Sequence, residues 1–200
     1  MNEATSAPSS VAPLTIREKA GYALGDCAAN FVFQTQLIFM MSFYTDVMGL
    51  ASSSVATMFL VSRAFDAVND PIMGALADRT RTRWGKFRPW ILWTAIPFAA
   101  AFTLAYTTPD LDAKGRLIWA YATYNLLMIV YTANNIPYAS LSGVLTSDPI
   151  ERTSLMSWRF LLAMTAGFLV QTFTLDLVRI FGQGDAARGY QMTMGMWAVL

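Results

Sequence analysis

The sequence predicts an all-α integral membrane protein, a bundle of six helices with the sixth truncated. Three observations carry this. Of the 200 residues 55% are hydrophobic and 14% are charged, against about 25% charged in soluble domains. The apolar residues fall into successive stretches near the roughly 20 residues that cross a bilayer core. The basic residues gather on alternate connections.

Residues 1–16 are rich in Ser, Ala and Pro, without a basic region leading into a short apolar core. They read as a disordered cytoplasmic tail rather than a leader. The bundle is expected over 17–200. A first span is expected over 19–45, with Asp26, Asn30, Gln34 and Gln36 making part of it polar. A second is expected over 52–77, and a third over 90–108, which is nearly all apolar. The fourth, 117–145, holds Thr132, Asn134 and Asn135 near its middle, and the fifth, 154–181, has Arg159 in its first turns. The sixth, 190–200, is incomplete, since 11 residues remain after Gly189, and the chain is expected to be the N-terminal part of a longer protein. Pro71 and Pro137 fall inside spans, where membrane bundles tolerate the lost helix bond.

Orientation follows from charge. Arg17, Lys19, Arg79, Arg81, Arg83, Lys86, Arg88 and Arg152 fall on one side under even alternation; Lys114, Arg116, Arg179 and Arg188 fall on the other. The positive-inside rule then puts the N-terminus in the cytoplasm of an inner-membrane protein. The basic loop 78–89 also fits an anionic-lipid or nucleic-acid patch. Topology accounts for it without a ligand, and no nucleic-acid partner is expected at a net charge of +1. Trp84, Trp90 and Trp93 read as interface anchors at that edge. Asp176 and Arg179 read as a local i, i+3 pair. There is no His and one Cys, Cys27, which leaves little for an enzyme to work with. No enzymatic activity, cofactor or disulfide is expected.

The segment VSRAFDAVNDPIMG places Arg63, Asp66, Asn69 and Asp70 inside the second span, mostly on one side of a helix. An ionised residue at the bilayer centre costs about 2.5–3.5 kcal/mol on insertion scales. These groups therefore need each other, water or an ion. One reading is a self-neutralising Arg–Asp pair; the other is a cation site facing a polar cavity.

The following loop, DRTRTRWGK, with Gly74 before it, resembles the loop between the second and third helices of the major facilitator superfamily. Further stretches, YALGDCAANF, FYTDVMGL, RAFDAVNDPIMG, RTRWGKFRPWIL, YTANNIPYASL and ERTSLMSWRF, resemble the glycoside–pentoside–hexuronide:cation symporters, the group of the melibiose permease. The resemblance covers nearly all of the chain beyond its tail, and implies the first six-helix half of a twelve-helix secondary active transporter. Such a protein carries out symport by alternating access, coupled to Na+ or H+, and its partners are a sugar substrate, a monovalent cation, the bilayer and a C-terminal half.

The resemblance also implies roles. Asp66, Asn69, Asp70 and Thr132 match the cation ligands, a set of oxygens suited to a hard cation. The same acids suit a proton, because carboxylates held close raise one pKa. Arg63 is expected to offset the acids. Gly74, Asp78, Arg79, Gly85 and Lys86 match the conformational latch loop, in which Gly74 admits a close helix and Asp78 takes an Arg or a helix N-terminus. Asn30, Asn135 and Arg159 match sugar-binding positions, with Asp26 and Tyr131 as further sugar-site candidates. Here the sequence departs from the permease: two acids have become Asn30 and Asn135, and a Trp has become Ala139. With two negative charges lost and Arg159 kept, an acidic glycoside is the sharper expectation. Plainer readings stand beside these. Asn30 and Asn135 also serve as interhelical hydrogen-bonding groups, Arg159 as an anchor that snorkels, Asp26 as a helix-contact group and Tyr124 and Tyr131 as packing between helices. The alternatives at the level of function are a carrier of another amphiphile such as a lysolipid, for which Ala139 leaves room, and a non-transporting membrane sensor on the same fold.

Overall fold

Thr15 opens the first helix with a capping box. Its hydroxyl accepts from the Glu18 amide, and the Glu18 carboxylate accepts from the Thr15 amide at 2.8 Å. The computed structural model describes residues 14–199, so most of the expected tail lies outside the described residues, while its last residues belong to this cap. The helix, α1 (Ile16–Ser42), passes into a π-helical turn, Phe43–Val47. It is followed by α2 (Ser52–Arg79), α3 (Arg88–Ala105), α4 (Ala113–Leu145), α5 (Pro149–Gly182) and α6 (Ala186–Val199). Asp112 and Asp148 cap α4 and α5 by accepting from Gly115 and Ile150, so both helices start before the spans that hydropathy marks. α2 runs through Pro71 and α4 through Pro137 without interruption.

Packing follows neighbour pairs rather than chain order. α1 lies along α5, α2 and α3 lie along α4, and α6 lies against α3 and α5. α1 and α2 come together at the π-helical turn and diverge below it, leaving a cleft. α4 is about 50 Å long at the helical rise and α3 about 27 Å, against a hydrocarbon core of about 30 Å. α5 alone among the described helices is long and apolar enough to read as a span by hydropathy, with a mean of 1.6 over its best stretch. The polar groups that α1, α2 and α4 carry lower their averages. The outer faces are apolar: Ile96 is 82% exposed, Leu60 72% and Phe168 65%, a surface suited to lipid or to further protein.

The two ends are held differently. At one end Phe43, Tyr44, Phe102, Tyr106 and Tyr190 form an aromatic cluster, with the Tyr106 and Tyr190 rings stacked and the Tyr106 hydroxyl donating to the Thr35 carbonyl at 3.0 Å. Arg116 closes this end by donating to the Met48 carbonyl at 2.7 Å. At the other end Lys19 bridges Glu151 at 2.8 Å and donates to Ser154, joining the starts of α1 and α5. Between them, Tyr22 and Tyr138 stack at 4.7 Å, and the Tyr138 hydroxyl donates to the Tyr22 carbonyl. The α2–α3 loop is a tight turn built on Thr82, whose hydroxyl donates to the Gly85 carbonyl; Gly85 has φ +93, a left-handed conformation that favours glycine. Arg83 lies over the Trp84 ring at 4.5 Å, and Trp90 donates to Thr80.

α5 and α6 cross at glycines. A Cβ at Gly189 would lie 2.2 Å from the Val178 carbonyl oxygen, which is backbone and has little freedom to yield. Gly189→Ala is expected to destabilise the protein by about 1–3 kcal/mol, as overpacking does, while Gly21→Ala, with open space at that position, leaves stability unchanged or slightly raised. Thermal unfolding of the two variants checks this.

Candidate functional site

The cleft between α1, α2 and α4 has a volume of about 280 Å³. Phe33, Gln36 and Leu37 face it from α1, Phe59, Arg63, Asp66 and Asp70 from α2, and Tyr124, Met128, Tyr131 and Thr132 from α4. The helical period puts Phe59, Arg63, Asp66 and Asp70 on one stripe of α2, at steps of three and four residues. On α4, Tyr124, Met128, Tyr131 and Thr132 follow the same rule. The Thr132 hydroxyl donates to Asp70 Oδ1 at 3.1 Å, tying α4 to α2.

Three buried atoms of this region have no hydrogen-bond partner among the described residues: Gln36 Oε1, Asp66 Oδ1 and Asn69 Nδ2. A buried polar atom is ordinarily paired, and an acceptor on a carboxylate is the costliest kind to leave alone. Two carboxylates, one with a free oxygen and the other holding a hydroxyl, suit a hard monovalent cation or a proton. Asn69 does not line the cleft, although its side chain is buried beside it.

Arg63 lines the same cleft, but no ion pair joins it to Asp66 or Asp70. The expected charge-balancing contact is therefore not made within the described residues. The acids sit three and seven residues further along the same helix, and Arg63 is exposed.

A second polar group joins α1 to α5. Asp26 is 3% exposed and pairs with Arg159, Nε to Oδ1 at 3.0 Å. Asn30, one turn on, donates to the Asp26 carbonyl at 2.9 Å and to its Oδ2 at 3.1 Å. The Arg159 guanidinium lies 5.5 Å over the Tyr138 ring, within cation–π reach. Asp26, Asn30 and Arg159 are thus one constellation, and Arg159 is paired rather than snorkelling at an edge. Asn135 makes no hydrogen bond among the described residues, while its neighbour Asn134 donates to Thr94 on α3 at 2.8 Å. Tyr131 belongs to the first cleft, where it stacks against Phe33 at 6.2 Å and packs against Phe98 on α3.

The latch residues stand apart from both groups. A Cβ at Gly74 would meet nothing within 4 Å, so no described helix makes the close approach expected there. Asp78 and Lys86 are exposed and make no side-chain hydrogen bond or ion pair among the described residues, and Arg79 is exposed as well. Sequence reasoning missed the Thr15–Glu18 capping box, legible as T-x-x-E, and the Lys19–Glu151 bridge, which had no local signal.

A helical bundle with an apolar exterior and charges lodged in a cleft suits a protein of the membrane. Residues 21–200 match the family model described as MFS/sugar transport protein. The chain is 49% identical over 187 residues to the inner membrane symporter YicJ of Escherichia coli (strain K12), covering 94% of this chain and 41% of that protein. It is 40% identical over 185 residues to the isoprimeverose transporter of Lactiplantibacillus pentosus, covering 92% and 39%. It is 39% identical over 143 residues to the glucuronide carrier protein homolog of Escherichia coli (strain K12), covering 71% and 31%. The chain belongs to the MFS/sugar transport family and is a relative of glycoside–pentoside–hexuronide:cation symporters. It spans about two fifths of the length of the first two of these relatives.

Removing one partner of a largely buried ion pair typically costs about 3–5 kcal/mol, and the 28% side-chain exposure of Arg159 reduces that here. Asp26→Asn is therefore expected to lower the unfolding temperature, and the double variant Asp26→Asn/Arg159→Gln to regain part of the loss. Thermal unfolding of both reads this directly.

Proposed function

We propose that this chain is the N-terminal six-helix half of a cation-coupled glycoside symporter of the inner membrane, with its N-terminus in the cytoplasm. The single observation that carries the reading is the Asp66–Asp70–Thr132 arrangement, in which a second-helix acid with an unpartnered buried oxygen faces a cleft beside an acid already oriented by a fourth-helix hydroxyl. Asp66 and Asp70 bind Na+ or H+, Thr132 orients Asp70, and Asn69 supplies an amide oxygen as the site tightens. Binding removes negative charge from the cleft and favours substrate entry. The energetic coupling is reciprocal, so the glycoside tightens the cation equally. The two halves then rock about the shared site. The chemistry is transfer, with no bond made or broken.

Asp26, Asn30, Asn135 and Arg159 form the sugar side, with Tyr131 between it and the cation cleft. Carboxylate, guanidinium and amide groups together hydrogen-bond a polyol through both donors and acceptors. The charge argument for an acidic glycoside weakens at this site, because Asp26 already neutralises Arg159. A neutral glycoside fits the paired charges better, and one relative is named for isoprimeverose, while another is named for glucuronides. Gly74, Asp78, Arg79, Gly85 and Lys86 would engage the second half; the open space at Gly74 supports this.

Two measurements on the protein at its native length, reconstituted in vesicles, test the reading. Asp66→Asn and Asp70→Asn are each expected to abolish cation-dependent glycoside uptake; unchanged dependence in both variants refutes the site. In competition, neutral xylosides are expected to inhibit uptake more strongly than glucuronides. The opposite order restores the acidic substrate.

A further inference from the structure

The cation reading leaves two groups of the cleft without a role. Gln36 reaches the cleft from α1 and Arg63 from α2. The Gln36 amide nitrogen is 3.6 Å from the Met128 sulfur, while its carbonyl oxygen is buried and has no hydrogen-bond partner among the described residues. Arg63 is the converse. It carries five donors in a planar fork, and none reaches an acceptor among the described residues. A buried acceptor left unpaired is costly, so the Gln36 oxygen and the exposed Arg63 donors that line one cleft are complementary.

Arg63 has two destinations. One is the carboxylates of Asp66 and Asp70, one and two turns further along its own helix. The other is Gln36 across the cleft. A cation on Asp66 and Asp70 competes with the guanidinium for the same oxygens, so occupancy of the acids frees Arg63 for another acceptor of the cleft, of which the Gln36 oxygen is buried and unpartnered among the described residues. We propose that Gln36 is a positioning residue for coupling: its side-chain oxygen receives Arg63 when the cation holds the acids, tying α1 to α2. The inference rests on the cation site proposed above. Its consequence is mechanical as well as electrostatic. α2 packs against the π-helical turn that ends α1, and no extensive contact joins α1 to α2 among the described residues, so this hydrogen bond is a tie across the open part of the cleft. α1 also carries Asp26 and Asn30, so the tie links cation occupancy to the helix that presents the sugar site.

The test is a double-mutant cycle on the protein at its native length, read as the shift of unfolding temperature with added NaCl, LiCl or acid at constant ionic strength, balanced with choline chloride. Gln36→Met keeps shape and removes the oxygen. In the presence of Arg63 it is expected to weaken the apparent cation affinity roughly tenfold, the scale of one hydrogen bond to a charged group. In the Arg63→Gln background it is expected to change the affinity less than about twofold, because the competitor is gone. An equal loss in both backgrounds means that Gln36 acts on the ion or on packing, and overturns the proposal; so does no loss in either. If Gln36→Met lacks a cooperative transition, Gln36→Leu replaces it. If both lack one, Gln36 is structural and the proposal falls. Asp70→Asn separates this from the underlying reading. It abolishes the cation response if the site is correct, whereas a retained response, or a native protein that no cation stabilises, refutes the site and the tie together.

Discussion

The energetic cost of placing charge inside a bundle of apolar helices governs the arrangement of this protein. Arg63, Asp66, Asp70, Asp26 and Arg159 all lie well inside their helices. At membrane depth each must be compensated by a partner, by water or by an ion. The chain solves this in two ways. Asp26 and Arg159 satisfy one another, with Asn30 taking the remaining carboxylate oxygen. Asp66 and Asp70 do not, and among the described residues only Asp70 gains a protein donor, Thr132. The first group is closed and self-sufficient; the second is open and calls for something that comes and goes.

That contrast maps onto packing. The closed pair spans α1 and α5, which lie against one another along their length, and it is backed by the Tyr22–Tyr138 stack and the Lys19–Glu151 bridge. The open acids belong to α2, which packs on α4 and leaves a cleft toward α1. The aromatic cluster around Phe43 and Tyr106 holds one end of the cleft together.

How much of this was legible in the sequence depended on the range of each interaction. Local patterns carried well. The stripe of Arg63, Asp66 and Asp70 on one face follows from helical period alone, and the T-x-x-E cap was there to be read at Thr15 and Glu18. Positions matched by family resemblance led to Thr132, and the structure joins it to Asp70. Pairings between distant segments carried poorly. Nothing in the spacing of Asp26 and Arg159 announces that they meet, and without that contact Arg159 looked like an uncompensated positive charge. Arg63 looked like a partner for its own helix, yet it forms no ion pair with Asp66 or Asp70 among the described residues. Gly74 is the small residue expected of a close contact, but no described residue of another helix comes within 4 Å of a Cβ there. The relatives extend well beyond this chain's match.

The account's central claim is that the acids of α2 bind a cation whose occupancy is coupled to glycoside binding at α1 and α5. The most direct measurement is a pair of titrations on the protein at its native length: cation affinity with and without saturating glycoside, and glycoside affinity with and without saturating cation. Linkage requires the two ratios to be the same, and the account predicts that both exceed unity by the same factor. Two ratios of one would show that the ligands bind independently, and would contradict it.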